Sequence, residues 1–230
     1  MGRSGQVLLI DADDTLWENN LRFTRTIEAF LKLVAPLGYE DGYVRELVAR
    51  SEEKNIRQRG YGMSSFLVTL EEVYLKLASP PAVEAKLKEV RRLSRFLVGE
   101  PPQIFEGVAE TLAHLAGRHR LLLFSKGNDG EQRQKVADSG LARHFELCEI
   151  VSEKNESAYR AVVERHGLAP ETVWMVGDSP RSDINPALAA GLNAVYIPSP
   201  HPWEYEEEAI RPGSGQLLVL KEFRELQEHF

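Results

Sequence analysis

The stretch LLIDADDTLW, Leu8–Trp17, decides how this chain is read. An apolar run as long as a short buried strand stops at Asp11, and Asp13, Asp14 and Thr15 follow at once. Like charges crowded at the end of a buried strand repel one another and lose solvation, so the sequence requires something that compensates them.

Two later apolar runs end in the same manner, LLLF before Ser125 and VWMV before Gly177 and Asp178. In open parallel sheets ligands bind outside the carboxyl ends of the strands, so the three endings are expected to meet. An extended chain alternates sides, which puts Asp11 and Asp13 on one side and Ala12 on the other. Four carboxylates, Asp11, Asp13, Asp178 and Asp183, are then expected to lie together around a hard divalent cation. All-oxygen ligation suits Mg²⁺, and the six histidines and one cysteine form no matched set for zinc. Acidic pairs also cap helices or face water, so the first motif alone does not decide the matter.

Outward from these motifs the chain has two textures. Residues 17–100 show helix-period segments and no convincing strand: LRFTRTIEAFLKLV, YVRELVARSEEKNIRQ, SSFLVTLEEVYLKLA and AVEAKLKEVRRLSRFLV. Gly38, Gly60–Gly62 and the turn Ser79-Pro80-Pro81 separate them. After Pro101-Pro102, helices and strands alternate to the end, which predicts a mainly parallel sheet covered on both faces. The strand VLLI has no partner near it in sequence and must join that sheet. The fold class is therefore α/β, a Rossmann-like doubly wound core of residues 1–16 and 101–230 interrupted by a four-helix insert, 17–100.

With 230 residues, 43% of them hydrophobic, the chain is long enough to bury roughly 70% of its unfolded surface. A formal charge of −7 opposes nucleic-acid binding, which needs clustered Lys and Arg. Cys148 stands alone, is read as a core residue, and points to a reducing compartment. No signal-peptide pattern and no run of about 18 apolar residues is present, so a cytoplasmic protein with no membrane partner is expected. The acidic EYEEEAI, Glu204–Ile210, reads as a solvated face. Oligomeric state is not legible.

Taken together, DADDT (Asp11–Thr15), the strand ending in Ser125, Lys154 in SEKNES, and GDSPRSD (Gly177–Asp183) resemble the haloacid dehalogenase superfamily of phosphohydrolases. The elements stand in the family's order, and the helical insert is similar to a cap placed just after the first motif. The resemblance implies Asp11 as nucleophile, forming an aspartyl-phosphate, and as a Mg²⁺ ligand. It implies Asp13 as general acid and base, with a raised pKa, its main-chain carbonyl also on the metal. Ser125 would bind phosphate, and Lys154 would supply a positive charge, with Lys126 as rival because SEKNES lacks the Pro-x-Pro that commonly follows the family's lysine. Thr15 would fix the nucleophile loop beside the phosphate. Asp178 would be a second metal ligand, and Asp183 would reach the ion, orient Lys154 or cap the helix after it. Asp14 points away from Asp13 and is read as binding local backbone.

Asp13 also separates reaction classes, because an alkoxide leaving group needs a proton and a departing halide does not. The expected function is Mg²⁺-dependent hydrolysis of a small phosphorylated metabolite. The alternatives are a phosphomutase using the same acids, a non-catalytic protein keeping the fold, and a protein phosphatase. Candidate substrate contacts are Trp17 and Asn20 near the hinge, and Arg57, Arg59 and Tyr61 between insert helices; the latter stretch can equally be a plain connecting turn.

Overall fold

The computed structural model describes residues 5–78, 83–97 and 101–230, so the Ser79-Pro80-Pro81 turn lies outside the described residues. In chain order the elements are β1 (Val7–Ile10), β2 (Trp17–Glu18), α1 (Asn20–Val34), α2 (Asp41–Arg59), α3 (Met63–Leu77), α4 (Val83–Arg92), β3 (Gln103–Ile104) and α5 (Val108–Ala116). Next come β4 (Arg120–Lys126), α6 (Asp129–Ser139), β5 (Leu147–Val151), α7 (Glu156–Arg165), β6 (Val173–Gly177), α8 (Asn185–Ala189), β7 (Asn193–Tyr196) and β8 (Leu217–Val219). Contacts divide the chain into two compact units, Met1–Asn20 with Pro101–Phe230, and Leu21–Glu100.

The first unit is built on a six-stranded parallel sheet in the order β5-β4-β1-β6-β7-β8. Both neighbours of β1 arrive from far along the chain, which is why VLLI is apolar on both faces. Side chains alternate as a pleated strand requires. Leu8, Ile10, Leu121, Leu123 and Val176 enter a core with Val108, Leu112 and Leu115 of α5, while Val7, Leu9, Leu122, Phe124 and Met175 pack against Tyr159, Val162 and Val163 of α7. Each fully buried Leu or Ile contributes roughly 2 kcal/mol.

Register carries this core to the site. Ile10 lies beside Leu123 of β4 and Val176 of β6, so the next residues on all three strands emerge at one edge. The Asp11 amide still donates to the Val176 carbonyl, 2.9 Å away.

The second unit packs α1–α4 around their own core: Phe30, Leu31 and Val34, then Val44 and Val48, then Phe66, Leu70, Val73, Tyr74 and Leu77, and Val90. These residues recur three or four positions apart, as one face of a helix does. No helix among the described residues is long and apolar enough to cross a membrane.

Several expectations change. Residues 17–100 do contain a strand: β2 pairs antiparallel with β3, and residues 17–20 accordingly group with the sheet unit. The fourth insert helix is shorter than its pattern, ending at Arg92 in a 3-10 turn, Leu93–Phe96. Pro180–Ile184 forms a wide π-type turn before α8. Cys148 is only partly buried against the core.

Burial on α2 pushes the Glu52 carboxyl from its ordinary 4.5 up to about 7. Because the folded pKa lies above the unfolded one, both states are protonated at acidic pH and there is no penalty. Stability is lost as pH rises from about 4.5 to 7, since the unfolded chain ionises first. Glu52→Gln should therefore raise stability by up to about 3 kcal/mol at pH 8 and by little at pH 4. Urea melts followed by helical circular dichroism at the two pH values check this; an equal effect at both refutes it.

Candidate active site

The loop after β1 folds tightly because Asp14 adopts a left-handed backbone (φ 61°). Such a conformation suits Asp when its short side chain bonds nearby backbone. Asp14 does this, accepting from the amides of Asn19 and Asn20 at 3.0–3.1 Å at the start of α1. It is a loop staple, as its orientation away from Asp13 suggests.

Asp11 is buried at the tip of β1. Lys154, itself 3% exposed, donates to Asp11 Oδ1 and to Asp183 Oδ1, the latter at 2.7 Å. Lys154 is thus a buried, doubly paired ammonium and not a solvated residue at the start of a helix. Asn155 caps α7 by accepting from the Ala158 amide (3.0 Å). Thr15 Oγ1 stands 3.2 Å from Asp11 Oδ2 and 3.3 Å from Asp178 Oδ1, tying β1 to β6.

Asp183 reaches back instead of capping α8, and its Oδ2 accepts from the Ser179 amide at 3.0 Å. Gly177 permits this close return, since a Cβ there would lie 2.2 Å from Asp183 Oδ2.

Carboxylate oxygens of Asp11, Asp178 and Asp183 all lie within 4.8 Å of one another. Burial pushes the Asp11 carboxyl up to about 7, and Lys154 opposes that shift. Burial also drives Asp178 well above the carboxylate range, with Asp11 and Asp183 adding to it. For Lys154 burial works toward the neutral amine, but the charges of Asp11 and Asp183 outweigh it and raise its pKa. Three carboxylates against one ammonium leave a local excess of negative charge, and an all-oxygen donor set of this size fits a hard divalent cation.

Asp13 does not join them as a fourth carboxylate. The extended backbone ends at Ile10, and the Asp13 side chain turns to α6, where Lys135 Nζ lies 2.9 and 2.8 Å from its two oxygens. Gln132 Nε2 donates to Oδ2 (2.9 Å) and Trp17 Nε1 to Oδ1 (2.7 Å). Burial pushes this carboxyl up, but Lys135, Gln132 and Trp17 more than offset it, so its pKa is lowered and not raised as expected. That leaves the main-chain carbonyl as the atom through which Asp13 could meet a metal.

Ser125 is buried, and its Oγ accepts from Gln132 Nε2 at 3.1 Å, leaving its own proton to donate. Lys126 turns elsewhere: its ammonium bonds Ser182 Oγ (2.8 Å) and pairs with Glu206. Glu206 also accepts from the hydroxyls of Ser179 (2.6 Å) and Ser182. Burial acts against this carboxylate, yet Lys126 and the two serines hold it below the usual range. The stretch EYEEEAI is thus no solvated face at Glu206, and Glu208 bonds Asn185.

Trp17, offered as a substrate contact, is 1% exposed, so its indole belongs to the core and its N–H to Asp13. Asn20 is tied to the His201 carbonyl through Nδ2 (3.1 Å). Arg59 ends α2 and Tyr61 comes after it, both in the helical unit, where Arg57 pairs with Glu53. Gln132, Lys135 and Glu206 escaped the sequence reading. Gln132 and Lys135 sit one helical turn apart on α6, a weak signal that their partner lies on one side.

The chain resembles known proteins. It is 35% identical to the phosphoserine phosphatase of Thermus thermophilus over 82 residues, spanning 34% of this chain and only 33% of that protein. It is 25% identical over 235 residues to the glyceraldehyde 3-phosphate phosphatase of Methanothermobacter thermautotrophicus, covering 97% of this chain and 98% of that one. Among solved structures, a haloacid dehalogenase-like family hydrolase from Xanthomonas campestris superposes with a TM-score of 0.85 at 26% identity, covering 99% of this chain and 91% of that chain. Less similar neighbours include 2-haloacid dehalogenases, a likeness of fold alone. The family model for haloacid dehalogenase-like hydrolases matches residues 6–191, from β1 through α8, and the chain belongs to that family of enzymes.

Proposed function

We propose that the protein is a Mg²⁺-dependent phosphatase of small phosphorylated metabolites that works through an aspartyl-phosphate on Asp11. The observation that carries this reading is the buried meeting of Asp11, Asp178, Asp183 and Lys154 at the tips of separate strands. Two relatives named for phosphatase activity support it, as does the presence of Asp13, which a carbon–halogen cleavage would not need.

Asp11 and Asp178 would hold the metal, with Asp183 completing the set directly or through water. Bound there, the ion supplies positive charge to the phosphate and to the crowded carboxylates. Lys154 works against the burial that would neutralise Asp11, favouring the ionised form a nucleophile requires, and places a compact charge where phosphate oxygens arrive. Ser125 and the amides that come after it donate to the same oxygens. Thr15 holds Asp11 in line. Lys126, neutralised by Glu206, takes no part in phosphate binding and instead braces the turn that carries Asp183.

The wild-type protein should release phosphate from p-nitrophenyl phosphate when Mg²⁺ is present and lose this on chelation. Asp11→Asn should lower kcat by about 10³-fold or more. Activity that persists in both situations would remove the mechanism. A panel of phosphorylated metabolites, assayed for phosphate, then defines the substrate.

Gly177→Ala tests the cluster from its backbone side. The added methyl must displace Asp183, so the Mg²⁺ concentration for half-activation should rise by about tenfold or more. An unchanged Mg²⁺ dependence in a folded variant would show that Asp183 does not serve the metal.

A further inference from the structure

The second acid of the first motif sits in a cage of its own. Each oxygen of the Asp13 carboxylate accepts two hydrogen bonds, Oδ1 from Trp17 and Lys135, Oδ2 from Gln132 and Lys135. A carboxylate has about four acceptor positions, so none is left over. Two of the donors are rigid. Trp17 and Gln132 are buried, and the two protons of Gln132 Nε2 are shared among Asp13 Oδ2, the Lys126 carbonyl at 2.8 Å and Ser125 Oγ. Lys135 differs: its side chain is 21% exposed, it bridges both oxygens, and it has a second anchor in Asn19 Oδ1 at 2.9 Å.

We infer that Lys135 is a positioning residue for the acid–base step, holding Asp13 where it meets the leaving oxygen. The inference rests on the phosphatase reading and extends it to a residue outside the family's motifs. In the first half-reaction an Asp11 oxygen bonds phosphorus, the bond from phosphorus to the leaving oxygen breaks, and the Asp13 proton passes to that oxygen, releasing the alcohol. In the second, water attacks the aspartyl-phosphate and its proton returns to Asp13, which restores Asp11. Both transfers need one Asp13 oxygen exposed to the reacting atoms while the other stays fixed. Gln132 and Trp17 fix the carboxylate from two sides, and the bridging ammonium is the one donor with room to move, because Asn19 can keep it when it leaves an oxygen.

A plain surface ion pair would stabilise the fold and nothing more, so the test must separate the two. Alkyl phosphates need a proton on the leaving oxygen, whereas p-nitrophenolate leaves without one. kcat/KM reports the step that releases the alcohol and is read for p-nitrophenyl phosphate and for the alkyl phosphomonoester that the wild-type enzyme turns over fastest. Lys135→Met should lower the alkyl value by about tenfold more than the aryl value, and Lys135→Arg should recover part of that difference. Equal losses on both substrates, or no loss on either, would overturn the inference. If Lys135→Met fails to fold, as thermal melts would reveal, the same ratio measured for Lys135→Gln and Lys135→Arg decides. A wild-type protein inactive on both substrates would instead sink the phosphatase reading itself.

Discussion

The interaction on which the rest depends is the burial of Lys154 between Asp11 and Asp183. A buried ammonium or carboxylate without a partner costs several kcal/mol, and removing one member of such a pair leaves the other stranded. The three residues come from the ends of β1, of the segment before α7, and of the turn after β6. The triad thus welds three distant pieces of chain at the carboxyl edge of the sheet. It exists only if the register of β1 against β4 and β6 is right, since a slip of one residue would turn Asp11 to the other face. Sheet packing and site chemistry therefore enforce one another.

Much of this architecture is legible in the residues. Apolar runs on β1, β4 and β6 end in polar residues, and the period of the insert changes from two to about four, which is enough to separate a parallel sheet from a helical segment. The Asp14 staple is also readable in kind, whereas the Asn155 cap and the need for glycine at 177 emerge only with the local backbone. The misreadings have a common physical origin. Extrapolating the pleat past Ile10 put Asp13 with Asp11, but a strand's alternation ends where its ladder ends. β2 and β3 are two residues each, too short to leave a period.

The pairings that sequence does not disclose are charge neutralisations between remote segments. Glu206 lies in a run of glutamates that reads as solvent-facing, yet it is drawn under the turn Ser179–Asp183 by Lys126 and two hydroxyls. Lys135 lies on a helix whose exposed side is crowded with charge, among them the pair Arg133–Asp129. In neither case does residue type or spacing identify the partner. Where such contacts converge on a loop, they also restrain it: Ser179 and Ser182 both donate to Glu206, Ser182 also accepts from Lys126, and Asp183 accepts from Lys154 and from the Ser179 amide, across the π-type turn.

Two carboxylates two residues apart are thus compensated in opposite ways. Asp13 is matched inside the protein by Lys135, with Gln132 and Trp17 satisfying its remaining positions, so it needs nothing from outside. Asp11 is matched only in part, because Lys154 is shared with Asp183 while Asp178 has no ammonium of its own among the ion pairs of the described residues. The excess of negative charge is concentrated at the nucleophile, and a divalent cation and the phosphate it escorts find their complement there. The neutral Asp13–Lys135 pair beside it presents no charge to compete for the ion.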